Sequence, residues 1–151
     1  MDRDERFMRL ALAEAMTAVD HGDVPIGAVL VRDDEIVAKT HNTRELLADG
    51  TAHAEMSALR LGAERSGDWR LTAHELYVTV EPCPMCAGAI VWHRIERLVF
   101  GAWNVRAGAA GSLYNITDDA RLNHRVEVVR GVLADECAAP LDDLFDDRRT
   151  V

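Results

Sequence analysis

Between residues 51 and 130 the sequence alternates between runs of helical and of strand character, and this alternation limits the fold more than any other feature. Residues 51–64 are rich in alanine and leucine and predict a helix, 75–80 a strand, 84–93 a short helix and 95–101 a strand. Residues 125–130 predict a last strand and 133–145 a closing helix, with a glycine-rich loop at 106–112. Strands joined through helices run parallel with right-handed crossovers, because strand twist lets the helix pack back onto the sheet only that way. The front of the chain differs. Met8, Leu12, Ala15 and Val19 recur at helical spacing, and Gly22 offers a stop. Residues 24–32 and 35–40 are rich in valine and isoleucine around an Asp33-Asp34 turn, which predicts an antiparallel hairpin. A hairpin followed by parallel units gives a mixed sheet sandwiched between helices.

A chain of 151 residues with 48 % hydrophobic side chains has the length and the apolar content for one core, so residues 1–151 are expected to form a single domain. The net charge of −9 excludes a broad basic footprint for nucleic acid, leaving room only for a small, local polynucleotide contact. Asp2, Arg3, Asp4, Glu5 and Arg6 stand where a secretory signal needs a basic start and an apolar run. No apolar stretch approaches the roughly 18 residues of a membrane span. Three cysteines do not make a disulfide framework. A cytoplasmic address is expected, where Cys83 and Cys86 stay reduced and free to bind metal.

The chemistry lies in His53-Ala54-Glu55 and Pro82-Cys83-Pro84-Met85-Cys86, each at the expected start of a helix. In an open α/β sheet the ends of the strands and the starts of the following helices share one edge, so the two motifs can meet. Cys83 and Cys86 are three residues apart, on one side of a first helical turn where the dipole favours thiolates. With His53 they form a nitrogen and sulfur set suited to tetrahedral zinc, with a fourth position open as in catalytic rather than structural sites. Glu55 can serve the same site only if its helix points end-on at the metal. It would then take a proton from a zinc-activated water and pass it to substrate and leaving group. Other readings stay open on the residues alone. Cys-Pro-Met-Cys also suits a thiol redox protein, and His74 or His93 could close a structural zinc site. His21, His41 and His74 otherwise suit ordinary hydrogen-bonded roles, and Cys137 that of a small buried apolar residue. Asp142, Asp143, Asp146 and Asp147 predict a solvated helix face.

The His-x-Glu and Pro-Cys-x-x-Cys pair resembles the signature of the zinc nucleoside and nucleobase deaminases, the cytidine and deoxycytidylate deaminase superfamily. From about Arg9 to Arg149 the chain is similar to the bacterial tRNA-specific adenosine deaminases. That resemblance is carried by Val24-Pro25-Ile26-Gly27, Thr51-Ala52-His53-Ala54-Glu55, Phe100-Gly101-Ala102, Gly108-Ala109-Ala110-Gly111-Ser112, Asn123-His124-Arg125-Val126-Glu127 and Gly131-Val132-Leu133-Ala134-Asp135-Glu136-Cys137. It implies a three-layer αβα sandwich around a mixed five-stranded sheet, a homodimer with the active site near the interface, and one Zn2+ per subunit held by His53, Cys83 and Cys86. It also implies hydrolytic deamination of an extruded adenine at the wobble position of a tRNA anticodon stem-loop, with Glu55 moving the protons. By matching position, Asn42 would bond the adenine, the Ala54 amide would face the attacking oxygen, and Val24 and Pro25 would wall the base. Asn123, Phe145 and Arg149 match positions near the anticodon loop. The chain departs from the family at Asn104, where an acidic residue is usual, and in its acidic rather than basic C-terminal helix. A deaminase of a free purine base or nucleoside is the rival within the same chemistry.

Overall fold

The computed structural model describes residues 2–149, with side chains through residue 146. In chain order the elements are α1 (Arg3–Val19), β1 (Gly27–Arg32), β2 (Glu35–His41), α2 (Arg44–Leu47), α3 (Ala54–Ser66), β3 (His74–Val80), α4 (Pro84–Trp92), β4 (Arg97–Ala102), a 3-10 turn (Ile116–Asp118), β5 (Glu127–Arg130) and α5 (Ala134–Arg149). The sheet order is β2-β1-β3-β4-β5. β1 is antiparallel to both β2 and β3, whereas β3, β4 and β5 run parallel, as the switch from hairpin to crossover units requires. This is the mixed three-layer arrangement expected from the sequence.

The central strands are buried on both faces, so they read as continuous apolar runs rather than as alternation. Ala28, Leu30, Leu76, Val78, Leu98 and Phe100 face α3 and α4, where Ala58, Leu59 and Ile90 meet them. Val29, Val31, Tyr77 and Val99 face Phe7, Met8 and Ala11 of α1 and Cys137 of α5. The buried stripe of α1 is Phe7, Met8, Ala11, Ala15 and Ala18; of the expected Met8, Leu12, Ala15 and Val19, the first and third lie on it, whereas Leu12 is half-buried and Val19 about half exposed. The reason is close approach: a Cβ at Gly27 would lie 2.0 Å from the Ala11 carbonyl oxygen, so α1 turns its small alanines toward β1.

Three boundaries moved for local reasons. β1 starts at Gly27 rather than at residue 24, because Pro25 has no N–H for a ladder and the Ile26 amide turns back to the Val24 carbonyl at 2.9 Å. The hairpin turn places Asp33 and Asp34 at φ 51° and 64°, the left-handed pair of a two-residue type I′ connection. α3 starts at Ala54 rather than at residue 51, because the Asp49 carboxylate takes both the Thr51 amide and hydroxyl at 2.8 Å and holds that segment in a turn. At the far end α5 runs on to Arg149, past the expected stop at residue 145. Among the described residues no helix is long and apolar enough to cross a membrane.

Candidate active site

His53 is the N-cap of α3 and Cys83 the N-cap of α4, and both have extended backbones that aim their side chains off the helix ends. Pro84 opens α4, where its fixed φ suits the first helical position and its missing N–H leaves no bond unmade. Cys86 follows in the same turn and is fully buried. The His53, Cys83 and Cys86 donor atoms lie within 4.8 Å of one another, the one such group among the described residues. His53 Nδ1 is 3.6 Å from Cys83 Sγ and 3.4 Å from Cys86 Sγ. Zinc bonds of about 2.3 Å to sulfur and 2.0–2.1 Å to nitrogen at a tetrahedral angle place sulfur and nitrogen about 3.6 Å apart. The three residues therefore fit zinc with no movement of the backbone. Neither candidate for a closing fourth ligand joins them: His93 Nδ1 is bonded to the Trp69 carbonyl at 2.8 Å, and His74 to that of Thr72 at 3.0 Å. Neither cysteine is in a disulfide.

Without metal, electrostatics ionises one of the two thiols. The Cys86 thiol and the His53 ring hold Cys83 down to about 4 against the effect of burial. Cys86 is pushed upward by the Cys83 thiolate and by burial, so without metal the pair shares one negative charge. His53 is raised, first by its bond to Cys83 and then by Glu55, against burial and the positive charge of Arg44. Glu55, only 4 % exposed, sits one residue into α3. Burial pushes its carboxyl above the usual carboxylate range, against its own backbone amide and the His53 ring, which favour the ionised form. The end-on helix geometry that Glu55 needed is present, because His53 lies at the cap and Glu55 in the first turn.

Beside these groups is a recess of about 180 Å³ lined by Val24, Ile26, Asn42, Arg44, His53, Ala54 and Glu55. Its volume is below the roughly 300–1,000 Å³ of pockets for drug-sized ligands and suits a single flat ring. Asn42 is fixed at both ends of its amide, accepting from Arg44 N at 3.0 Å and donating to the Val24 carbonyl at 3.3 Å. One amide hydrogen and one lone pair remain for a ligand. Ala54 occupies the first helical position, whose N–H has no partner within its helix, and its carbonyl accepts from Thr40 Oγ1 at 2.7 Å. Pro25, expected to wall the base with Val24, is buried and is not among the residues that line the recess. Asn104, Asn123 and Phe145 are not among the lining residues; Asn123 is exposed and Phe145 is 43 % exposed on α5. The side chain of Arg149 lies outside the described residues.

Sequence reasoning missed three supports. Glu81, 1 % exposed, accepts from the amides of Asn104, Ala110 and Ser112 at 3.1, 3.0 and 2.9 Å and from the Ser112 hydroxyl. It ties the glycine-rich loop to the turn that carries Cys83. A Cβ at Gly108 would come within 2.4 Å of that carboxylate, which explains a glycine there. The sequence held only a faint signal, an acid directly after the strand run at 75–80, and nothing local that names its partners. The other two are α2 and buried Asp23, whose carboxylate accepts from Glu45 N at 2.6 Å and Leu46 N at 3.1 Å. A four-residue helix leaves too short a pattern to read.

Comparison with known proteins accords with this geometry. Residues 1–102 match the family described as the cytidine and deoxycytidylate deaminase zinc-binding region. The chain is 48 % identical over 149 residues to the tRNA-specific adenosine deaminase of Bacillus subtilis, covering 99 % of this chain and 92 % of that one. It is 49 % identical over 147 residues to the tRNA-specific adenosine deaminase of Haemophilus influenzae, covering 97 % and 85 %. A solved structure from work on A-to-I editing by tRNA deaminases at the wobble position of transfer RNA superposes with a TM-score of 0.86 at 42 % identity, over 89 % of this chain and 98 % of that one.

Proposed function

The chain belongs to the tRNA-specific adenosine deaminases within the cytidine and deoxycytidylate deaminase zinc-binding family, and from that premise we propose that it converts adenosine to inosine at the wobble position of a tRNA anticodon loop. The observation that carries this reading is the convergence of His53, Cys83 and Cys86 with a buried carboxyl, Glu55, at the floor of a ring-sized recess. Zinc held by the three ligands supplies the Lewis acidity that brings the pKa of a water toward about 7. Glu55 would take one proton from the attacking water and give it to the purine ring nitrogen, then take the second from the oxygen now on carbon 6 and give it to the departing amine, so that water and adenosine become inosine and ammonia. Its raised affinity for a proton suits a group that must hold one between steps. The Ala54 amide stabilises the attacking oxygen. Asn42 uses its free amide hydrogen and lone pair on the edge of the base, and Val24 packs on its face.

Residues 1–151 act as one deaminase domain. Asn104, Asn123, Phe145 and Arg149 engage the anticodon loop, and the exposed ring of Phe145 supports stacking on an unpaired base. A homodimer is the working assembly: Trp103, Val105, Leu113 and Tyr114 expose about half or more of their surface along the loop that Glu81 anchors beside the site. The cytoplasm, where tRNA is modified and thiols stay reduced, is the working compartment.

The test is to incubate the purified protein with tRNAs bearing adenosine at the wobble position, and with free adenine, guanine and adenosine. Inosine at the wobble position is the expected product. Turnover of the free purines with no inosine in any tRNA overturns the reading in favour of a small-molecule deaminase.

A further inference from the structure

Arg44 is the one arginine or lysine among the residues that line the recess. Its nearest acid is its own chain neighbour, Glu45 Oε1, at 3.4 Å, with both side chains about half exposed. An exposed pair of that length contributes little. The stem of Arg44, in contrast, is held firmly. Its amide is bonded to Asn42 Oδ1 at 3.0 Å, and the next two amides are bonded to buried Asp23 at 2.6 and 3.1 Å. A cation on an anchored stem with an unsaturated head, beside a recess for one ring, is prepared for an anion that accompanies the ring.

We propose that Arg44 forms a phosphate subsite at the mouth of the recess, binding a phosphodiester next to the target nucleotide and selecting a base within a strand over a free purine. The inference rests on the reading that the substrate is a polynucleotide, and it identifies a residue that enforces that choice. A base extruded into the recess leaves its flanking phosphates outside at the rim, where the guanidinium fork can bond two phosphate oxygens at once. A free base brings no phosphate and gains nothing there. The net charge of −9 gives such a contact more weight, because the protein as a whole repels a polyanion and recognition must come from local cations.

The test uses zinc-loaded protein and an anticodon stem-loop RNA, either native or with uncharged methylphosphonates at the two phosphates flanking the target adenosine. Arg44→Gln is expected to lower kcat/KM on native RNA by about tenfold to a hundredfold, mainly through KM, with zinc content unchanged. It should also make the dependence of log kcat/KM on log salt shallower by about 0.7, the share of one phosphate on a single strand. Arg44→Lys should recover part of the loss. On the methylphosphonate RNA, wild type should fall toward the level of the variant, and Arg44→Gln should lose little more. Equal losses for the variant on both RNAs, or no loss on native RNA, overturn the phosphate subsite while leaving the deaminase reading intact. A wild-type protein that turns over free purines and leaves all RNA unchanged overturns the polynucleotide reading and the subsite with it.

Discussion

Each end of β3 gathers carboxyl groups, Asp4 and Glu75 at one and Glu55 at the other, and the two ends treat them in opposite ways. At its start, Glu75 accepts from Arg3 Nη1 and Nη2 at 2.9 and 2.7 Å and from Arg97 Nη1 at 3.0 Å. Asp4 accepts from both terminal nitrogens of Arg97 at 2.8 and 2.6 Å and from the Tyr77 hydroxyl at 2.7 Å. Arg3 is further bonded to Asp34. Each acid there faces a cation, and each is held below its usual range, Asp4 chiefly by Arg97 and Glu75 chiefly by Arg3. Just past the other end of the strand, roughly 20 Å away at about 3.3 Å per residue, Glu55 is buried with no guanidinium of its own and is pushed the other way by desolvation. Ion-paired carboxylates lock the N-terminal helix to the sheet; a buried one without such a pair is the group proposed to exchange a proton. On the proposed function, one end of the sheet serves the fold and the other the chemistry.

If that division is right, substitutions at the two ends should separate activity from stability. The largest effect is expected at the metal. Cys86→Ala should reduce zinc from one per chain to a small fraction and take deamination to background, checked by metal analysis and turnover on the same sample; full zinc occupancy in the variant would remove Cys86 from the ligand set. Glu55→Gln comes next. It should keep zinc and fold, yet lose roughly a hundredfold to ten-thousandfold in turnover, the contribution of general acid–base catalysis. Near wild-type turnover, or loss of zinc, would break the assignment of Glu55 as a proton carrier.

How legible these two ends were in the sequence also differs. The catalytic end announced itself, because metal chemistry demands particular residue types at fixed spacing, and His53, Glu55, Cys83 and Cys86 met those demands from two short motifs. Parallel β3, β4 and β5 followed from alternating helix and strand runs. The charge network stayed invisible: Arg3, Asp4, Glu75 and Arg97 come from three elements, and no local pattern predicts that tertiary packing brings them together. Glu81 stayed hidden for a related reason, since its partners are backbone amides of a loop about thirty residues on, supplied by any sequence that folds there. Orientation was the other loss. The alanines of α1 could have faced either way until the close approach at Gly27 fixed which of them meets β1.

The structural end makes a prediction with a defined sign in pH. Asp4 and Glu75 are held down in the folded state, so their stabilisation is complete above the unfolded carboxylate pKa of about 4 and is lost as pH falls through their lower folded values. Glu75→Gln should cost roughly 1 to 2 kcal/mol near pH 7, discounted for the partial exposure of the network. The wild-type and variant stabilities should converge below about pH 4, where the advantage of the wild type disappears. Denaturant unfolding from pH 7 to pH 3 measures this. Zinc content and turnover at neutral pH should stay at wild-type levels, the mirror image of Glu55→Gln. Parallel stability curves, with no convergence toward acid, would mean that Glu75 holds the fold by shape rather than by charge.

The smallest effect is expected at Asn104, on the loop that Glu81 anchors. Its side-chain oxygen accepts from Ala107 N at 3.1 Å and its backbone N–H donates to Glu81 Oε1 at 3.1 Å, so the loop conformation depends on an acceptor at this side chain and not on its charge. Aspartate would supply the same acceptor and preserve the loop. What it would add is a second, charged oxygen that can only accept, where asparagine has an amide group that donates. Beside a ribose, that oxygen can take the 2′-hydroxyl proton; beside a deoxyribose it loses its donor and is left partly desolvated next to phosphates of like charge. Asn104→Asp should therefore penalise DNA more than RNA, by an amount on the order of 1 kcal/mol for a partly exposed group. The ratio of kcat/KM on matched RNA and DNA anticodon-loop mimics measures this in one pair of proteins. A ratio that does not rise in the Asp variant, with zinc content equal in both, would limit the influence of residue 104 to shaping the loop and leave sugar selection to other contacts around the recess.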